Sequence, residues 1–139
     1  SVFTGMSRGL PYMRVVGAVS MTVIGVYSLY NAAVWNPHRI HYDETYTRTV
    51  EHHPGIVVDG PLQGDWLAQC VTNWLADHGN LERFQYSNRQ AAYLGETLTS
   101  GGKIVAIDPG ERLVILELWV ANAAGEVTSP GGATVRLDE

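Results

Sequence analysis

The chain is poor in cysteine: Cys70 stands alone among 139 residues, so no internal disulfide can form and no cysteine-rich zinc motif is present. A single thiol points to a reducing compartment, the cytosol. Cations are also scarce, with 9 Lys and Arg against 14 Asp and Glu and a net charge of −5. There is no basic run, and without that electrostatic footprint nucleic acid is not an expected partner. Internal repeats and low-complexity segments are absent. Locally, all formal charge is missing between Arg14 and Arg39, and Val15 to Trp35 is long enough to cross a bilayer. Arg8 and Arg14 ahead of it resemble the basic lead of a signal segment. However, Gly17, Ser20, Thr22, Gly25, Ser28 and Asn31 interrupt the run. It divides more sensibly into a short strand, Val15 to Met21, and a helix from an N-cap at Thr22 to about Ala33. A soluble domain is expected rather than a membrane-bound one.

What is present suits one globular domain, with 45% hydrophobic and 17% charged residues in a length that builds a single core. Residues 1–14 read as an N-terminal extension, in which Ser1 to Gly5 ahead of Met6 read either as an expression remnant or as native sequence. Residues 15–139 read as the domain. Its clearest element is a helix from Gly60 to Gly79. Pro61 suits the first helical position, where a missing N–H costs nothing. Leu62, Trp66, Leu67, Cys70, Val71, Trp74 and Leu75 then recur at helical spacing along one face. Gly79 is expected to end the helix in a left-handed conformation. Trp66 and Trp74 are expected in the core, and Cys70 as a small buried hydrophobe.

Strands are expected over Leu81 to Gln90, Leu98 to Ile107, Arg112 to Asn122 and Gly132 to Leu137. Asp108-Pro109-Gly110 and Ala124-Gly125 supply turns. The nearly continuous apolar run of Arg112 to Asn122 marks a central strand. A sheet accompanied by one long apolar helix must wrap that helix to bury it, so the expected class is α+β, an antiparallel sheet around one central helix.

The chemically dense segment is Asn36-Pro37-His38-Arg39-Ile40-His41-Tyr42-Asp43, in a loop between helices. Asp43 is placed to N-cap a short helix from Glu44 to about Glu51. Such a loop either spends its polar side chains on its own backbone or carries chemistry, and spacing alone leaves both open. His38 and His41 lack a cysteine or carboxylate set at matching spacing, so no metal is expected. His52 and His53 follow a helix end, where a partly cationic side chain is favoured in any case.

Tyr30 through Asp43, followed by Pro54-Gly55-Ile56-Val57-Val58-Asp59-Gly60-Pro61-Leu62-Gln63, resembles the MaoC-type hydratases. Within them it resembles the branch with fungal mitochondrial 3-hydroxyacyl-thioester dehydratase and the mesaconyl-CoA hydratases. Leu94-Gly95-Glu96-Thr97-Leu98 and the stretch from Gly125-Glu126-Val127 to Val135 agree, so the resemblance runs from about Val15 to Leu137. It implies a hot-dog fold, a homodimer or a pairing with a second hot-dog subunit, and 2-enoyl or 3-hydroxyacyl thioesters of CoA or acyl carrier protein as substrates. No cofactor is implied.

The family's catalytic histidine falls on His41 and its motif asparagine on Asn36, with Trp35, His38 and Arg39 beside them expected at the substrate. Hydration needs a base for water at the β-carbon, and a histidine titrating near neutrality can supply it. Charge building on the thioester oxygen could be met by the amides of Gly60 and Leu62 at the start of the long helix, since Pro61 has no N–H. Gly60 could equally be an ordinary helix cap.

Two departures matter. Val34 stands where the commoner motif has aspartate, although the branch resembled also lacks it and carries the extra His38-Arg39. Asp59 stands where the family usually has histidine. It is expected either as a general acid or as a partner of His41. The expected function is an (R)-type 2-enoyl-thioester hydratase or 3-hydroxyacyl-thioester dehydratase. The rivals are a non-catalytic subunit of a heteromeric dehydratase and a hot-dog thioesterase using Asp65.

Overall fold

In Leu113–Ala121, Val114, Leu116, Leu118 and Val120 are buried, while Ile115 and Glu117 between them face solvent. This period of two puts one face of a strand against a core. In the computed structural model, which describes residues 12–17, 33 and 36–139, that strand is β4 at the centre of a five-stranded antiparallel sheet. The others are β1 (Tyr12–Gly17), β2 (Gly79–Tyr86), β3 (Leu98–Asp108) and β5 (Val127–Leu137), and the order is β1-β3-β4-β5-β2. A short helix α1 (Glu44–Thr49) and the long helix α2 (Gly60–Leu75) precede β2. The inner face of the sheet wraps α2. Leu67, Cys70 and Val71 of the helix are fully buried with Val114, Leu116, Leu118 and Val135 of the sheet. Trp66 and Trp74 pack partly buried against that core. At about 25 cal/mol per Å² of apolar surface, burying each of these side chains contributes roughly 1.5–3 kcal/mol before entropy is subtracted.

The sheet begins at Tyr12, so Tyr12–Arg14 of the segment read as an extension pair with Gly101–Lys103 of β3. The expected helix from Thr22 to Ala33 falls, apart from Ala33, outside the described residues, as do residues 18–21 of the expected first strand. Among the described residues no helix is long and apolar enough to cross a membrane.

Two boundaries differ from expectation for physical reasons. Helix α2 stops at Leu75, and it is Ala76 that takes the positive φ of 48°. Gly79 instead opens β2 where the sheet is tight: a Cβ there would lie 2.1 Å from the Arg136 carbonyl oxygen. Strand β5 starts at Val127 and runs through Ser129-Pro130-Gly131-Gly132, which reads locally as a break. Pro130 is tolerated because β2 pairs only as far as Gly131, so the ladder on that side needs no donor from Pro130. Its carbonyl still accepts from Ser87 N at 3.0 Å.

Among the described residues β1 and β2 each have one unpaired side. The β3–β4 hairpin also exposes Val105, Ile107 and Ile115. Open edges and exposed apolar side chains favour association. Sedimentation at micromolar concentration is expected to show a species of at least twice the 15.2 kDa of one chain. A compact 15.2 kDa species would contradict this.

Candidate active site

The loop ahead of α1 folds into a turn that buries a histidine. Arg39–His41 forms a single 3₁₀ turn, with His41 N donating to the His38 carbonyl at 3.1 Å. Asp43 Oδ1 then accepts from Tyr46 N at 2.9 Å and caps α1, as expected of it. Between them His41 is turned inward, to 6% exposure. The neighbouring segment Ile56–Val58 is buried and held on both sides. Val57 N donates to Ile40 O at 3.0 Å, and Val58 N to Ala92 O at 2.8 Å. This fixes the chain entering α2 against the histidine turn.

His41 Nδ1 lies 2.9 Å from the Val57 carbonyl oxygen. A carbonyl can only accept, so Nδ1 carries the proton, and a neutral ring presents Nε2 as its basic atom. Nε2 lies 3.2 Å from Asn36 Nδ2 and 3.5 Å from Asp59 Oδ1. The same Asn36 amide donates to Asp59 Oδ1, so Asn36 bridges the imidazole and the carboxylate. Asp59 is wholly buried immediately before α2. Burial raises its pKa above the usual carboxylate value. The hydrogen bond from Asn36, the charge of His41 and the Gly60 amide oppose that rise only in part. The pair is therefore a basic nitrogen beside a carboxyl that holds its proton unusually well.

Asn36 and His41 open onto a cavity of about 370 Å³, lined also by Gly60, Gln63, Asn88 and Arg89, with Asp59 wholly buried behind them. Of the residues singled out in the sequence, Asn36, His41, Asp59 and Gly60 come together here. Trp35 lies outside the described residues. His38 and Arg39 are not among the residues lining the cavity. Arg39 donates to Asp43 Oδ2 through Nη2 at 2.6 Å and Nε at 3.2 Å, and stacks 4.2 Å over the Tyr46 ring. The His38 ring also meets Tyr46, at 6.4 Å between centroids. Leu62 sends its side chain toward the core, leaving only its amide near the helix start. Asp65 is exposed on α2 and lies outside the cavity lining.

The sequence reading gave no role to Gln63, Asn88, Thr128 or Ser129. Gln63 carried a legible signal: it precedes Leu67, Cys70 and Val71 by helical spacings, a polar residue on the most buried stripe of an apolar helix.

A sequence profile of the hydroxyacyl-thioester dehydratase type 2 family matches residues 16–94. The chain belongs to this family. Relatives include the mitochondrial hydroxyacyl-thioester dehydratase type 2 of Saccharomyces cerevisiae, 34% identical over 64 residues, covering 46% of this chain and 22% of that protein. Mesaconyl-C(4)-CoA hydratase of Chloroflexus aurantiacus is 52% identical over 33 residues, covering 24% of this chain and 12% of that protein. The match thus spans less than a quarter of either relative. Among solved structures, the (R)-hydratase from A. caviae involved in PHA biosynthesis superposes with a TM-score of 0.79 at 15% identity, covering 91% of this chain and 94% of that one. A chain of the ChsH1–ChsH2 complex from Mycobacterium tuberculosis gives 0.72 at 15% identity, covering 93% and 94%. The fold of this dehydratase-family chain is the hot dog, as its sequence implied.

Proposed function

We propose that this dehydratase-family chain is an (R)-type 2-enoyl-thioester hydratase, or in the reverse sense a 3-hydroxyacyl-thioester dehydratase, acting on acyl-CoA or acyl-carrier-protein thioesters. The observation that carries the reading is His41. Its Nδ1 is tied to the Val57 carbonyl, and its Nε2 sits at the cavity beside Asn36 and a buried carboxyl. Family membership supports the same chemistry.

In the hydration direction, His41 Nε2 takes a proton from water as the oxygen bonds to the β-carbon. The alkene electrons move toward the thioester oxygen, where the Gly60 amide offers a donor and the start of α2 a favourable dipole. Asp59, whose burial favours the protonated form, is the proton donor to the α-carbon. The proton on His41 then returns to Asp59 across their 3.5 Å separation, which restores both groups and leaves one water added. Asn36, bonded to both, keeps the imidazole and carboxyl in register and helps to place the water. The single buried thiol suits a reducing compartment such as the cytosol.

The test is loss of the enoyl-thioester absorbance over several acyl-CoAs with the purified chain alone. First-order loss above the uncatalysed rate is expected for at least one of them. Loss only after a second hot-dog subunit is added would favour the heteromeric reading, which the two-component ChsH1–ChsH2 neighbour makes the principal alternative. No loss under either condition would sink the proposal.

A further inference from the structure

A buried polar network beside the cavity has no part in the chemistry so far. Gln63, Thr128 and Ser129 are 2%, 1% and 0% exposed. Polar groups are costly to bury unless hydrogen-bonded, so a chain of them under an apolar helix needs a reason. Gln63 Oε1 accepts from both Thr128 Oγ1 and Ser129 Oγ at 2.9 Å. Thr128 Oγ1 is also 3.3 Å from the Val120 carbonyl, and Ser129 Oγ is 2.7 Å from Asn88 Oδ1. Each hydroxyl has only one proton. The Thr128 proton is thus shared between Gln63 Oε1 and the Val120 carbonyl, and the Ser129 proton between Gln63 Oε1 and Asn88 Oδ1.

The Ser129 hydroxyl orients the asparagine. Its Oδ1 is tied to Ser129, so its Nδ2 is the end turned toward α2. A Cβ built on Gly60 would lie 2.1 Å from Asn88 Nδ2. The amide therefore rests directly over the Cα of Gly60, on the lining of the cavity that holds His41. The backbone on either side is pinned to β5, with Ser87 N on Pro130 O at 3.0 Å and Arg89 N on Thr128 O at 2.9 Å. Asn88 is itself exposed, and among the described residues nothing accepts a hydrogen bond from Nδ2. Glycine at position 60 is also explained, since any side chain there would displace this amide.

Resting on the hydratase reading, we infer that Asn88 is a further catalytic residue, donating through Nδ2 to the thioester oxygen beside the Gly60 amide. Fixed donors aimed at developing charge act without reorganisation during the reaction. The Gln63–Thr128–Ser129 chain is then the support that keeps this donor in place, and those three are positioning residues.

The test compares Asn88→Ala and Asn88→Asp in the full chain, by turnover of an enoyl-CoA and by calorimetric binding of butyryl-CoA against its thioether analogue, which lacks the carbonyl oxygen. Aspartate keeps the acceptor for Ser129 and so preserves any purely structural role. It replaces the donor with a charge that repels the oxyanion. Loss of a single oxyanion donor typically costs about 10²–10³-fold in kcat. Both variants are expected to fall by that much, Asp at least as far as Ala, with unchanged thermal unfolding and no remaining preference for the thioester over the thioether. An Asn88→Asp chain that turns over within about threefold of the parent would overturn the inference while leaving the hydratase reading intact. If the parent turns nothing over yet prefers the thioester, and Asn88→Asp erases that preference, the hydratase reading fails and the role of Asn88 stands. A parent with neither turnover nor preference overturns both.

Discussion

His41→Ala is expected to lower kcat for enoyl-thioester hydration by about 10²–10⁴-fold, the usual contribution of a positioned general acid–base group, while the chain still folds. The fold should survive because His41 lies outside the main apolar cluster of Leu67, Cys70, Val71, Val114, Leu116 and Val135. Its removal takes away its bonds to the Val57 carbonyl and to Asn36, at about 1 kcal/mol each. The Val57 backbone keeps its separate bond to Ile40 O. His41→Gln provides the control for that loss, because a glutamine amide can still donate to the Val57 carbonyl but supplies no basic nitrogen. Both variants should be equally inactive by absorbance, and Gln should lie nearer the parent in thermal unfolding. An alanine variant within a few-fold of the parent's turnover would remove His41 from the mechanism.

The apolar stripe Leu67, Cys70, Val71 and Leu75 made α2 legible, and the alternation of Val114 to Val120 made β4 legible as a central strand. In both, one face buries almost everything it presents, so the period in the sequence is the period of the contacts. Local rules failed where long-range packing overrode them. Gly79 looked like a helix stop, but the close approach of the Arg136 backbone, remote in sequence, is what requires glycine there. The last strand, expected from Gly132, begins at Val127, because Pro130 is tolerated where its neighbour β2 stops short of it. The site divides in the same way. His41, Asn36 and Asp59 were found through motifs, and the fold brings them within hydrogen-bonding range of one another or nearly so. Arg39 sits in the same motif, but Asp43, four residues on, captures its charge locally. Asn88 was invisible because what defines it is a set of bonds joining residues 41 to 66 positions apart.

Asp59→Asn is expected to abolish most turnover and yet make the chain more stable at neutral pH. Asparagine keeps the shape and the oxygen that accepts from Asn36. It cannot give a proton to the α-carbon, and loss of an acid–base group is again worth about 10²–10⁴-fold. The stability effect follows from the direction of the pKa. Burial raises the folded-state value above the ordinary one, so between the two the folded chain binds more protons than the unfolded chain, and stability falls as pH rises. Below the ordinary carboxylate range the group is neutral in both states and costs nothing through charge. Above the raised value the full cost of burying the charge is present. The parent and Asp59→Asn should therefore melt together in acid and separate as pH rises toward neutrality, with the variant the more stable. A gap that is constant with pH, or of opposite sign, would show that the carboxylate is stabilised in place by its neighbours. The acid limb should appear in the kinetics too: parent activity is lost as pH rises through the raised Asp59 value, and the variant lacks that limb. Asp59→His restores the usual family residue and settles whether the acid was recruited or merely tolerated. A second imidazole beside His41 that creates turnover where the parent has none would make the natural chain a degenerate partner subunit. If it instead lowers an existing turnover, the chemistry of this chain has been rebuilt around Asp59, and the proton it holds through burial is the one delivered to the substrate.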